Sequence, residues 1–181
     1  MKGVVFTEFM DMVEDTFSDE VLDTIIEKSD LPSGGAYTAV GTYDHTEIVN
    51  LVVALSEEVN IAIPDLLTTF GAHLLGQFAK GYPHFFESAT DCFDFLKNID
   101  NYIHVEVLKL YPDAELPKFH HVQHSDNHLT LYYLSSRHLE DVAIGLIKGT
   151  LNHFGSEGVV TKEECQYEGQ EAVQIDIKLA A

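Results

Sequence analysis

The stretch Asn101-Tyr102-Ile103-His104-Val105-Glu106-Val107-Leu108 sets one histidine late in an apolar-periodic run. That run extends over 91–111, with Phe93, Leu96, Ile99, Ile103, Val107 and Leu110 at helical spacing and Pro112 just past its end. A neutral imidazole among apolar helical neighbours can offer one ring nitrogen to a metal. A second stretch, Tyr133-Leu134-Ser135-Ser136-Arg137, gives this histidine its context. Tyr133, Ser135 and Arg137 alternate, and on a strand that spacing turns all three side chains to one face. Two hydroxyls and a guanidinium together suit a carboxylate, which arginine binds through two parallel hydrogen bonds. Arg137 is the single arginine of the chain, against nine lysines. The planar fork is therefore reserved for that place.

Upstream of 91 the chain reads as helical. Val5, Phe6, Phe9, Met10, Val13 and Phe17 form a stripe over 4–17, Ser18 caps a second helix over 19–28, and Leu31-Pro32-Ser33-Gly34-Gly35 is a turn. Helices follow over 44–60, capped near Asp44 or Thr46, and from Pro64 to about Lys80, with a short one at 84–88. From Phe119 the period changes to two. Strands are expected over 119–124 and 128–134 around Ser125-Asp126-Asn127, and over 159–167 and 172–179 around Gly169. Between the pairs, 139–154 is a helix closed by Gly155. A helical N-terminal half followed by a four-stranded antiparallel sheet, interrupted by one helix, is α+β. The turn at 31–35 separates nothing, since neither flank buries a core alone, and residues 1–181 are expected to form one domain.

With 181 residues, 45% of them apolar, the chain can bury a substantial core. A formal net charge of −20 makes nucleic acid and anionic membranes poor partners. The acidity serves solubility or docking on a basic partner. Cys92 and Cys165 form no disulfide framework, and Cys92 fits a core filler. The N-terminal residues have neither the signature of a secretory leader nor that of a transit peptide, and no apolar run has the length of a membrane span. A cytoplasmic setting is expected. No Ser-His-Asp order, glycine-rich phosphate loop or paired-carboxylate site stands out. Gly71, Gly76 and Gly81 read as helix or turn glycines. His120, His121, His124 and His128 invite a metal reading, and His120 and His124 would share a strand face. No carboxylate or cysteine nearby in sequence completes a compact site, so they are read as partly exposed strand and turn residues.

A histidine ligand plus a carboxylate clamp is what haem requires: an axial ligand for iron and partners for the propionates. With His104, Leu116-Pro117 and Tyr133-x-Ser135-x-Arg137 in this order, the chain resembles the H-NOX family of haem-nitric oxide/oxygen-binding domains, related to the sensor domain of soluble guanylate cyclase. The resemblance spans essentially the whole chain, from Met1-Lys2-Gly3 onward. It implies haem b between the N-terminal helical half and the C-terminal half, with His104 as the proximal iron ligand. Tyr133, Ser135 and Arg137 would hold the propionates, and Pro117 would press on the haem from the side of His104. Asp44 is a candidate to orient Arg137. The distal wall would come from Val5, Phe9, Leu74, Phe78, Val142 and Leu146.

Oxygen-binding members of that family carry a tyrosine five residues beyond the motif arginine. Here that position is Val142, its neighbours Asp141 and Ala143 offer no hydroxyl, and Leu74 replaces another polar distal position. The resemblance thus implies a nitric oxide sensor that also takes CO, binds O₂ weakly or not at all, and has no catalytic activity of its own. NO would release His104. The output would act in trans on a sensor histidine kinase or a cyclic-di-GMP enzyme, either a diguanylate cyclase or a phosphodiesterase. Some members carry a zinc-binding cysteine cluster in the C-terminal part; here only Cys165 remains, and no zinc is expected. Two other classes compete. A peroxidase-type haem enzyme would need a distal acid-base residue, where the assigned positions are apolar. A haem-free acidic adaptor would share only the fold.

Overall fold

A computed structural model describes residues 1–180. Local chemistry sets several helix ends. Helix α1 (Gly3–Thr16) is followed by α2 (Asp19–Lys28), where the Ser18 hydroxyl accepts from the Val21 N–H at 3.3 Å. Helix α3 (His45–Val59) starts at Asp44, whose carboxylate accepts from the Thr46 N–H at 2.9 Å, and stops at Asn60 in the left-handed region. Pro64 sits in the first turn of α4 (Ile63–Gly81), where a missing N–H breaks no bond. After α5 (His84–Glu87), Asp91 accepts from the Asp94 N–H at 2.8 Å and caps α6 (Cys92–Lys97). Helices α7 (His104–Leu110) and α8 (Glu140–His153) flank the first hairpin, β1 (Lys118–Ser125) and β2 (His128–Leu134). Strands β3 (Gly158–Tyr167) and β4 (Gln170–Leu179) complete an antiparallel sheet of order β1-β2-β4-β3. The architecture is α+β, as the change of period implies.

The expected continuous helix over 91–111 is a correction. It breaks into α6, a π-helical turn over Ile99–Ile103, and α7. The Asn98 carbonyl accepts from Tyr102 N–H at 2.9 Å and from Ile103 N–H at 3.3 Å, and His104 N–H reaches back to the Ile99 carbonyl. Such a turn holds one residue more than an α turn. The apolar spacing on both sides is helical, so periodicity reads straight through it.

Two cores meet at one helix crossing. The N-terminal core packs Phe6, Phe9 and Val13 against Leu51, Leu55 and Phe70. The second core lies between the inner sheet face (Leu129, Leu131, Ile175, Ile177) and side chains of α6 and α8, among them Phe93, Leu96 and Ile147. Helices α4 and α8 join them at Gly71 and Gly145. A methyl group on Gly145 would sit 2.1 Å from the Thr68 carbonyl oxygen and 2.7 Å from the Gly71 Cα; one on Gly71 would sit 2.2 Å from the Val142 carbonyl oxygen. The two backbones are in direct contact. Gly145→Ala must therefore push α4 and α8 apart, at an expected cost of about 1–3 kcal/mol, typical of overpacking. Urea unfolding should show a lower midpoint with an unchanged slope. An unaltered midpoint would mean that the crossing accommodates a side chain.

Candidate cofactor site

A cavity of about 1670 Å³ is lined by both cores, with α1 and α4 on the N-terminal side and α7, β1, β2 and α8 on the other. His104 lines it. Its Nδ1 lies 2.9 Å from Oδ1 of Asp100, one turn earlier. The contact falls short of full alignment, so Oδ1 is a buried oxygen without an aligned donor among the described residues. The other Asp100 oxygen accepts from the Phe119 N–H at 2.9 Å, tying the π-helical turn to the start of β1. A carboxylate at Nδ1 is the partner a metal-ligating imidazole needs, because it leaves Nε2 as the free nitrogen. Burial lowers the pKa of His104, and Asp100 opposes that shift without cancelling it. Burial thus favours the neutral ring, the form that binds metal. Asp100 escaped the sequence reading, although its i, i+4 spacing to His104 was the available signal.

Tyr133, Ser135 and Arg137 all line the same cavity, but not through strand alternation. Strand β2 ends at Leu134, and Ser135 and Arg137 belong to the turn that leads into α8. The Ser135 hydroxyl accepts from the Arg137 N–H at 3.2 Å, and His138 turns the chain at φ 51°. Tyr133 is buried, and burial pushes its phenol above the ordinary range. Arg137 pairs with the Glu115 carboxylate and also donates to the Glu115 carbonyl at 3.4 Å. Asp44, the partner considered from sequence, is instead occupied as the cap of α3. The guanidinium is mostly covered whereas Glu115 is 80% exposed, so the carboxylate partner is the more replaceable of the two.

Pro117 also lines the cavity, and its apolar walls include Val5, Leu74, Phe78, Val142 and Leu146. Phe9 departs from expectation. It is fully buried in the N-terminal core, edge-on to Phe70 with ring centroids 5.3 Å apart, and Phe70 is the ring that lines the cavity. An apolar slot with one uncommitted imidazole nitrogen, two hydroxyls and one guanidinium fits a flat, apolar, iron-bearing dicarboxylate.

The model of the haem-NO-binding family matches residues 2–162. The chain belongs to this family, the H-NOX proteins. The H-NOX protein of K. algicida, in its Fe(II) unliganded form, is similar at 40% identity with a TM-score of 0.92, covering 100% of this chain and 97% of that one. The H-NOX protein of S. oneidensis in the Fe(II)NO state is similar at 27% identity and TM-score 0.90, with 100% of both chains covered. That of Shewanella woodyi, bound to IWP-051 in the Fe(II)CO state, is similar at 40% identity and TM-score 0.82, covering 99% and 95%. H-NOX domains are haem-based gas sensors and not catalysts, which sets aside the peroxidase and adaptor readings. Among the described residues no helix is long and apolar enough to cross a membrane.

Proposed function

We propose that this H-NOX domain is a nitric oxide sensor, with His104 as the iron ligand and Tyr133, Ser135 and Arg137 as the propionate clamp. The observation that carries the NO reading is the wall formed by Val5, Leu74, Phe78, Val142 and Leu146. Haem held by His104 would supply a ferrous iron able to take a diatomic gas, and NO binding would favour release of His104. Bound O₂ carries partial negative charge and needs a hydrogen-bond donor beside it, whereas NO and CO need it much less. These five side chains offer no such donor. Relatives from S. oneidensis and Shewanella woodyi were solved with NO and CO respectively, which supports both gases as ligands here.

When released, the His104 ring can settle on Asp100, already 2.9 Å from Nδ1. Asp100 holds the Phe119 N–H at the same time, so the ring, the π-helical turn and the start of β1 are mechanically linked. Val105, Leu108 and Leu110 of α7 are exposed, and a shift of that helix changes an apolar surface available to a partner. The partner in this reading is a sensor histidine kinase or a cyclic-di-GMP enzyme acting in trans, in a cytoplasmic setting compatible with the free thiols Cys92 and Cys165.

Three tests follow from these assignments. His104→Gly should lose the wild-type ferrous spectrum and regain it with added imidazole; an unchanged spectrum without imidazole would remove His104 from its role. Arg137→Ala should weaken haem retention by about 2–5 kcal/mol, the cost of stranding a buried charge partner, and Arg137→Lys should recover only part of it. Haem transfer to an acceptor protein measures this, and equal transfer rates in all three proteins would count against the clamp. Finally, the reduced protein should give a five-coordinate nitrosyl spectrum with NO and no stable oxygenated spectrum in air. A persistent oxygenated form would overturn the selectivity, and a six-coordinate nitrosyl would overturn the release of His104.

A further inference from the structure

The outer face of the sheet carries a second cluster, away from the haem cavity. Leu129 and Leu131 of β2 and Ile175 and Ile177 of β4 face the core, so His128, Thr130 and Asp176 face outward. His124 reaches the same place from β1, where the register slips between Gln123 and Ser125. His124, His128 and Asp176 each present one ligand atom, and these atoms lie within 4.8 Å of one another. The cluster sits at the hairpin end of β2, and Tyr133 of the haem site sits at the other end. No carboxylate near in sequence completes the histidine group, because Asp176 is 48 residues from His128; only strand pairing brings it there.

The hydrogen bonds define what the cluster can hold. The Thr130 hydroxyl donates to Asp176 Oδ1 at 2.7 Å, which uses its one proton. His124 Nε2, 2.9 Å from the Thr130 oxygen, must then donate to it. His128 Nε2, 2.9 Å from the same Asp176 oxygen, must also donate, since a carboxylate only accepts. Two Nε2–H groups thus converge beside one carboxylate oxygen, and the imidazoles lie close, tilted by 31° with centroids 4.4 Å apart. Gln174 donates to the second Asp176 oxygen at 2.7 Å, and Thr130 is buried, so the carboxylate is held from behind.

We propose that His124, His128 and Asp176 form a binding site for a divalent transition-metal ion of the zinc type, separate from the haem. The ion takes the place of the two Nε2 protons. Each ring moves its proton to Nδ1, so a neutral imidazole becomes a ligand without net proton loss. Two imidazole nitrogens and one carboxylate oxygen select a zinc-like ion over magnesium or calcium, and a fourth position stays open to water or another donor. With bonds of about 2.0–2.1 Å, tetrahedral ligand atoms stand roughly 3.3 Å apart. The 4.8 Å spread closes by rotation of His124, which is the exposed member. Bound, the ion joins β1, β2 and β4, replacing hydrogen bonds among the same side chains by direct metal bonds. The net charge of −20 also draws cations toward the surface.

The test is calorimetric titration of the chelator-stripped, haem-loaded protein with zinc chloride. One zinc per chain is expected, with a raised unfolding temperature. His124→Gln and His128→Gln should each weaken binding beyond the ~10–100-fold loss seen when a group behind a ligand is removed. Asp176→Asn should weaken it as well, while His121→Gln, an exposed histidine outside the cluster, should bind as the wild type does. An unchanged Soret band in each variant shows that fold and haem site are intact; His124→Gln, on an exposed residue, keeps the test decisive if the Asp176 variant unfolds. The proposal is overturned by absence of saturable zinc binding, by wild-type isotherms in the His124 and His128 variants, or by magnesium binding as tightly as zinc.

Discussion

Direct backbone contact between Gly71 and Gly145 sets the geometry on which the haem cavity depends. Leu74 and Phe78 extend from α4 within two turns of Gly71, and Val142 and Leu146 from α8 within one turn of Gly145. The separation of these apolar side chains is therefore inherited from two helices that cannot approach more closely. The same crossing joins the two cores, so the wall of the cavity and the junction of the halves are one feature. Gly149 continues the close approach, with room for a methyl group only if Leu75 gives way.

Against that apolar wall, two carboxylates hold the polar groups in place. Asp100 serves two elements, with one oxygen beside His104 and the other on the Phe119 N–H. Arg137 is held by Glu115 from the segment between α7 and β1. An ion pair with a largely exposed partner contributes little net stability. In the proposed clamp Glu115 thus yields its place to a propionate, and the guanidinium need not move far to accept it. In a chain this acidic, a second uncommitted carboxylate at that position would repel the propionates. Pairing by Glu115 keeps the single arginine oriented while leaving it exchangeable.

Much of this was legible in the residues themselves. The change from helical period to alternation at Phe119 gave α+β, and Ser18, Asp44 and Asp91 show why helices start where they do. That His104 and the Tyr133, Ser135, Arg137 set belong to one cavity was legible because residue type and order carry their chemistry. What escaped depends on relations that no local pattern encodes. The π-helical turn is invisible to apolar spacing because both flanks remain in helical phase. Ser135 and Arg137 look like strand residues because a turn with the right hydrogen bond can bring alternate side chains together as well as a strand does. Phe9 and Phe70 are interchangeable as apolar rings until packing decides which is outermost. Asp176 joins His128 only through the register of β2 with β4.

The π-helical turn also makes the number of residues between Asn98 and His104 matter as much as their identity. Each residue of an α-helix turns the chain by about 100°. Loss of one residue here would return the turn to α geometry and swing α7, with the His104 ring, by about that angle relative to α6. Asp100 could then no longer sit beside Nδ1. Exchanges of side chain in this stretch cost single contacts, whereas a one-residue deletion redirects the imidazole altogether. The turn around Gly34, by contrast, positions no ring of the cavity, although Gly34 itself sits at φ 67°, where a side chain is strained. Over the history of such a chain, changes of length should therefore gather in surface turns of that kind and spare 98–104, even where the amino acids within 98–104 drift.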